Sequence, residues 1–150
     1  MPAVPRFQPT SRHVRLQADG PSLRLTTVSR RTAGITSGLL ALPTRGVEAT
    51  AELDARDAAV RAAFLRIACY RTASGRSRQL WTRTSRLVAG GGRARVTVRI
   101  ERTPPAVAYR VRVLARLAAG RAATGSVVVR GLRLAEPAAR PRPVRIVAAR

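Results

Sequence analysis

Apolar and polar side chains alternate along most of this chain, with an apolar residue at every second position over short segments. A period of two places successive side chains on opposite faces of a β-strand, one of which is buried. The clearest example is the run RARVTVRIE at 93–101. The pattern predicts strands at 22–28, 36–42, 47–55, 60–70, 79–88, 93–101, 109–117 and 126–134.

The segment 47–55 is the place where a helix competes with a strand. It is rich in Ala and Glu, which are good helix formers, and residues 58–63 could extend a helix. In a strand, however, one face carries only apolar residues and the other carries Glu48, Thr50, Glu52 and Asp54. Because this alternation is strict, we predict a strand.

Turn residues separate the predicted strands. Gly, Pro and Ser recur between them at the intervals expected of a β-sandwich, and Gly131 inside the last segment predicts a bulge or a close backbone approach. The sequence therefore predicts an all-β fold, an antiparallel β-sandwich (jelly roll) of eight or nine strands spanning 12–136. The three prolines in each flanking segment predict a flexible N-terminal arm at 1–11 and a Pro/Arg-rich tail or linker at 137–150.

Composition adds an unusual charge to this picture. The 150 residues, enough for one domain, include 29 basic residues, all Arg, against seven Asp and Glu, which gives a net charge of +22. Such a charge indicates polyanionic partners. A very GC-rich coding sequence also produces many Arg and Ala residues, so compositional bias stays open as an alternative.

The order of the segments resembles a known fold family. The succession LWTRTSRLV, RVTVRIE, AYRVRVLAR and GSVVVRGLRL, preceded by SLRLTTVSRRTAGITSGLLALP and VEATAELDAR, is similar to galactose-binding-like jelly rolls, the fold of many carbohydrate-binding modules. The resemblance implies non-catalytic glycan recognition beside a linked glycan-processing enzyme. Family members often hold calcium with paired Asp residues in the last strand. The matching residues here are Val129, Arg130 and Gly131, so neither calcium nor any other cofactor is expected.

Four residues are candidates for ligand binding. Phe64, Arg66 and Tyr70 lie on one face of the segment 60–70, where two rings could grip a saccharide while Arg66 donates to its hydroxyls or carboxylates. The alternative is that both rings cap the inner core and Arg66 points outward. Trp81 is a candidate stacking platform, with filling of an aromatic-poor core as its alternative.

Two rows of arginines are candidates for a polyanion patch. One row follows the segment 93–101 and the other follows 109–117, and a short Pro turn between them predicts that the rows are neighbours on one surface. Opposed like charges on adjacent strands are unfavourable, so we predict that the acidic row at 48, 52 and 54 packs beside one arginine row. The six arginines are Arg93, Arg95, Arg99, Arg110, Arg112 and Arg116.

Catalytic and metal chemistry find little support in the sequence. A lone Cys69 and a lone His13 cannot form an internal disulfide or a Cys/His zinc site, and Cys69 in an apolar strand is predicted to be a small buried hydrophobe. The carboxylates lie mostly on one strand face, which is unsuited to a general acid/base pair. We expect no enzymatic activity.

The sequence thus predicts a carbohydrate-binding-like accessory module for glycans, with acidic polysaccharide as the ligand best suited to the charge. The alternatives are an Arg-rich nucleic-acid-binding protein that contacts phosphates, and a structural component of a phage or surface assembly. The chain contains no apolar stretch of the roughly 20 residues that a membrane span needs, and no apolar block of a signal peptide. The compartment therefore stays open.

Overall fold

The computed structural model describes residues 6–28, 31–73, 78–118 and 124–137, and within these ranges it contains twelve strands and no helix. None of the described segments forms a helix long and apolar enough to cross a membrane. The strands are β1 (Phe7–Pro9), β2 (Val14–Asp19), β3 (Ser22–Thr27), β4 (Ala33–Ser37), β5 (Leu40–Ala41), β6 (Val47–Asp54), β7 (Val60–Tyr70), β8 (Gln79–Thr84), β9 (Val88–Ala89), β10 (Arg93–Ile100), β11 (Ala108–Leu117) and β12 (Gly125–Ala135).

The strands form two antiparallel sheets that pack against each other. The front sheet has the order β1–β4–β11–β7–β8, with β5 also paired to β11 and β9 also paired to β7. The back sheet has the order β10–β6–β12–β3–β2. The chain crosses between the sheets at most of its connections, which is the arrangement of a jelly roll. The predicted all-β jelly-roll sandwich is confirmed.

The strand number exceeds the predicted eight or nine for two reasons. The segments 36–42 and 79–88 are each divided, into β4 with β5 and β8 with β9, and the pattern did not resolve β1 and β2 as separate strands. A serine spans each division. The Ser37 hydroxyl accepts a hydrogen bond from Val111 N at 2.9 Å, and the Ser85 hydroxyl accepts one from Leu65 N at 3.0 Å. Side-chain oxygens therefore satisfy central-strand amides where regular pairing stops.

Strand β6 shows why alternation outweighed helix propensity. Its apolar face, Val47, Ala49, Ala51 and Leu53, is buried, and both of its edges are paired, to β10 and to β12. A helix would have distributed these apolar side chains around its circumference and exposed part of them. The predicted bulge at Gly131 is also confirmed, because the register of β12 shifts between 130 and 133 and Gly131 has a φ of +59°.

The core between the sheets consists mainly of Val, Leu, Ile and Ala, as the composition predicts. Its largest fully buried side chains include Leu25, Ile35, Leu53, Leu65 and Ile67. Residues 7–9, which the sequence placed in the N-terminal arm, pair with β4 as β1. Residues 1–5 and 138–150 lie outside the described ranges, so the boundaries of the arm and the tail stay predictions.

Candidate functional site

The outer surface of the front sheet, called here the front face, is built by alternate residues of its two central strands. Leu65 and Val113 point into the core between the sheets, so their neighbours along the strands point outward. The register of β7 with β11 is continuous over this region. The front-face residues of these strands are Phe64, Arg66, Ala68, Tyr70, Ala108, Arg110, Arg112, Leu114 and Arg116.

The front face carries positive charge without local compensation. Arg66 lies directly opposite Arg112 across the β7–β11 pair. None of the seven front-sheet strands contains an Asp or a Glu. Burial, followed by the charges of Arg112 and Arg116, lowers the pKa of Arg66 from its usual value. Like charges opposed on adjacent strands destabilise a sheet, so this pair favours an anion above it.

Phe64 supports two of these arginines from below. Its ring is 0% exposed, and the guanidinium carbons of Arg66 and Arg116 lie 5.3 and 5.4 Å from the ring centroid. These are cation–π distances. Each arginine is also held at its Nε, which donates to Thr84 Oγ1 in one case and to Thr32 Oγ1 in the other. The ring therefore offers no face to a sugar and instead orients the guanidinium groups.

Tyr70 has the same role at the other end of the face. The Arg110 guanidinium carbon lies 5.6 Å from the Tyr70 ring centroid, and Arg112 Nη2 donates to the Tyr70 hydroxyl at 2.9 Å. Arg112 Nη1 donates to Gln79 Oε1 at 3.3 Å. Tyr70 is 6% exposed and packs with Ala68 and Ala108 in a small cluster separate from the main core. The two rings match neither sequence interpretation, because they lie outside the inner core but beneath the arginines, whereas Arg66 points outward as the second interpretation has it.

A groove of about 320 Å³ opens on this face beside the opposed arginines. Arg66 and Arg112 contribute its charged wall, while the apolar part of the lining comes from Pro9, which is exposed, and from Leu114, which is only 4% exposed. Threonines 10, 32 and 36 complete the lining. The groove thus combines guanidinium donors, hydroxyls and a small apolar surface, a lining that can contact both polar and anionic groups of a ligand.

The two arginine rows that the sequence analysis placed on one surface lie on different sheets. Strand β10 pairs with β6 in the back sheet, whereas β11 lies in the front sheet, so Arg93, Arg95 and Arg99 do not share a surface with the front-face arginines. The prediction of one six-arginine patch is wrong, because the connection after β10 crosses between the sheets instead of forming a hairpin.

The acidic row of β6 lies beside an arginine row, as predicted. Arg93 is opposite Asp54, Arg95 is opposite Glu52 and Arg99 is opposite Glu48. Glu52 also lies within ion-pair distance of arginines on both sides, 3.7 Å from Arg93 Nε and 3.5 Å from Arg130 Nη1. The back sheet therefore neutralises much of its own positive charge, in contrast to the front face.

Trp81 lies apart from the other candidate ligand-binding residues. It is opposite Cys69 on the core-facing side of β8 and packs, partly buried, against the main core. Strands β8 and β10 are edge strands of their own sheets and approach each other at one side of the sandwich. The gap between them, called here the edge cleft, has a volume of about 220 Å³ and is lined by Trp81, Arg83, Arg99, Glu101 and Thr103.

Cys69 and His13 form no catalytic or metal-binding arrangement in the described ranges. Cys69 is 0% exposed, and burial raises the pKa of its thiol to about 11, so a small buried hydrophobe describes it correctly. His13 is exposed near the surface of the sandwich. In the part of the chain that the structure describes, no three His, Cys, Asp or Glu residues are grouped to hold a metal ion.

The sequence matches no protein-family model and no curated protein sequence. Solved structures nevertheless share its fold. The CBM22-1–GH10 modules of Clostridium thermocellum xylanase 10B, complexed with xylohexaose, align with 87% of this chain at a TM-score of 0.60 and 8% identity. The CBM22-2 xylan-binding domain of Paenibacillus barcinonensis Xyn10C aligns with 87% at 0.59 and 10% identity. A family 16 carbohydrate-binding module, CBM16-2, aligns with 83% at 0.55 and 9% identity.

The fold resembles that of carbohydrate-binding modules. This chain spans 26% of the xylanase 10B chain, but 91% and 86% of the two separate modules. The likeness therefore concerns a module and not the accompanying enzyme domain. It confirms the fold resemblance predicted from the sequence.

Sequence reasoning missed several groups that build the groove of this module-like fold. Leu114 lies buried in its lining, and Gln79 accepts a hydrogen bond from Arg112. The signal for Leu114 was available, because it is an apolar residue in the outward-facing row of arginines on β11. The contribution of Pro9 and Thr10 could not be read from the sequence, since it depends on the pairing of β1 with β4.

Proposed function

We propose that this protein is a non-catalytic carbohydrate-binding module that binds an acidic polysaccharide on its front face. In this proposal, Arg66 and Arg112 donate to sugar carboxylates, while the exposed ring of Pro9 contacts the apolar face of a sugar ring. Arg110 and Arg116 extend the positive surface along β11. Phe64 and Tyr70 position the arginines from beneath.

The observation that carries the proposal is the opposed pair Arg66 and Arg112 at a groove in a sheet without a carboxylate. Arg66 donates from Nε to Thr84, and its two Nη groups make no hydrogen bond within the described residues. A planar guanidinium with free terminal donors suits bidentate binding of a carboxylate. A bound anion also relieves the repulsion between the two arginines.

Two further observations support a non-catalytic module. The two separate modules that this chain resembles over most of their length carry names of binding modules, one of them xylan-binding. Glycoside hydrolysis generally uses a pair of carboxyl groups flanking the scissile bond, and the carboxylates of β6 lie on the opposite sheet from the groove. Linkage to a glycan-processing enzyme and membership of the galactose-binding-like group are parts of the same proposal. The module of xylanase 10B adjoins a GH10 domain.

The test is calorimetric titration of the full chain with polygalacturonate and with neutral xylan, using matched arginine variants. Arg66→Gln and Arg112→Gln are each expected to weaken polygalacturonate binding roughly tenfold, the value of one charge-assisted hydrogen bond. Arg66→Lys keeps the charge but loses the planar fork and is expected to restore only part of the affinity. Arg95→Gln removes the same charge from the back sheet and serves as the control, with little change expected.

Nucleic-acid binding is the competing outcome of this experiment. Phosphate contacts made by arginines anywhere on the surface would give DNA affinity that declines steeply with salt. Duplex DNA is therefore titrated at low and at physiological ionic strength. If DNA binds as tightly as polygalacturonate and Arg95→Gln weakens binding as much as Arg66→Gln, the charge acts nonspecifically and the front-face site is refuted. Absence of binding to either polyanion would refute it as well.

A further inference from the structure

A second surface of the molecule has the composition of a sugar-binding site, and it is independent of the front face. We infer that the edge cleft binds a neutral, hydroxyl-rich sugar unit stacked against Trp81. The cleft lies between β8 and β10, where the two sheets approach each other, whereas the front face is the outer surface of the front sheet.

Trp81 is held firmly enough to act as a platform. One part of its side chain packs against the main core, and the strand position opposite it is Cys69, which is fully buried. The remaining part lines the cleft. A large aromatic side chain anchored on one side and accessible on the other loses little conformational entropy when it binds a ligand. The apolar face of a pyranose is the natural partner of such a ring.

The polar groups of the cleft have not satisfied one another. Within the described ranges, the side chains of Arg83, Arg99 and Glu101 make no hydrogen bond or ion pair with other residues. The cleft therefore presents guanidinium donors and a carboxylate acceptor together around one aromatic ring. Each sugar hydroxyl both donates and accepts, so a neutral sugar can use both kinds of group.

This chemistry distinguishes the ligand of the edge cleft from that of the front face. A uronate carboxylate offers only acceptors, so it can bind Arg83 and Arg99 but gives Glu101 no donor, whereas a neutral sugar hydroxyl serves both kinds of group. The front-face strands contain no carboxylate, so they lack this discrimination against acidic sugars. The two surfaces are thus suited to different units, an acidic one on the front face and a neutral one in the edge cleft.

Trp81 is the sole tryptophan of the chain, and its fluorescence therefore reports on the edge cleft directly. The experiment titrates the full chain with xylohexaose, cellohexaose and trigalacturonate while tryptophan emission is recorded. A neutral hexasaccharide is expected to change the emission in a saturable way, and trigalacturonate is expected to have a much smaller effect. Glu101→Ala is expected to weaken the neutral ligand roughly tenfold, through loss of hydrogen bonds to a charged acceptor.

Two controls separate this site from the front face. Glu136→Ala removes an exposed carboxylate elsewhere and should leave the titration unchanged. Arg66→Gln should also leave it unchanged, although it is expected to weaken polygalacturonate binding. An unchanged ligand affinity in Glu101→Ala, or loss of the emission change in Arg66→Gln, overturns the edge-cleft site. So does the absence of any change with both neutral hexasaccharides. None of these results bears on whether the front face binds acidic polysaccharide.

Discussion

Asp54 on the back sheet is predicted to contribute substantially to folding, and Asp54→Asn tests this. The carboxylate is 7% exposed. Its Oδ1 accepts from Arg56 N at 3.1 Å and Arg56 Nε at 3.0 Å, and its Oδ2 accepts from Arg56 Nη2 at 2.8 Å and Arg130 Nη1 at 3.2 Å. Asparagine keeps one acceptor oxygen. Its amide group, in the position of Oδ2, is a donor that faces the donors Arg56 Nη2 and Arg130 Nη1.

The expected loss follows from these contacts. Each hydrogen bond to a charged group contributes about 1.5–3 kcal/mol, and two are lost. Because the Arg56 and Arg130 side chains are 60% and 41% exposed, solvent screening reduces the sum. We expect Asp54→Asn to lower the free energy of unfolding by about 2 kcal/mol.

The pH dependence gives an independent check. Hydrogen bonds from the Arg56 side chain, with smaller contributions from its backbone amide and from Arg130, hold the pKa of Asp54 well below its usual 3.8. A carboxyl whose pKa is lower in the folded state than in the unfolded state stabilises the protein fully above the unfolded value. That contribution declines as the pH falls below it. The stability difference between wild type and Asp54→Asn should therefore stay constant from about pH 7 to about pH 5 and narrow as the pH falls from about 4 to about 2.

Urea unfolding followed by circular dichroism measures both quantities. Glu48→Gln removes the same charge from the same row of β6 and is the control, with an expected effect within about 0.5 kcal/mol. Equal unfolding midpoints for Asp54→Asn and Glu48→Gln near neutral pH would refute the argument. A difference from wild type that stays constant down to about pH 2 would refute its electrostatic part.

Three further predictions follow from the fold. The Cys69 thiol, buried and with its pKa raised to about 11, should react with iodoacetamide only after urea unfolding; rapid labelling of native protein would contradict this. Gly34→Ala should destabilise the protein several-fold more than Gly38→Ala. A Cβ added at position 34 would collide with the Val113 carbonyl oxygen, whereas one added at position 38 meets no atom. Equal melting temperatures of the two variants would contradict this. Added salt should stabilise the wild type about 0.5 kcal/mol more than it stabilises Arg112→Gln, because salt screens the repulsion between Arg66 and Arg112. An identical salt dependence of unfolding in the two proteins would contradict this.

The sandwich could be predicted from the sequence because each long strand buries one face, so that apolar and polar residues alternate strictly along it. This held for β6 despite its helix-favouring composition, and for β10 and β11 despite their many arginines. The short strands could not be predicted in the same way. Two-residue pieces such as β5 and β9 are defined by their pairing with a neighbouring strand, and three residues of β1 contain no period to detect.

The site could be predicted only in part, because periodicity assigns a residue to a face of its strand but does not show which strands become neighbours. It correctly placed Phe64, Arg66 and Tyr70 together, since they are on one strand. It failed for the arginine rows of β10 and β11, which a Pro-containing connection sends to different sheets. The position of the Phe64 ring also depended on a neighbouring strand, because Arg116 of β11 covers it together with Arg66 of its own strand.

In the part of the chain that the structure describes, the uneven distribution of carboxylates between the two sheets makes the sandwich electrically asymmetric. Three acidic side chains lie on β6, whereas all charged side chains of the front-sheet strands are arginines. A polyanionic matrix therefore exerts a torque on the approaching protein as well as an attraction, and turns the same side toward itself in each encounter. Adsorption would be oriented before any specific contact forms, with the partly neutralised back sheet left facing the solvent.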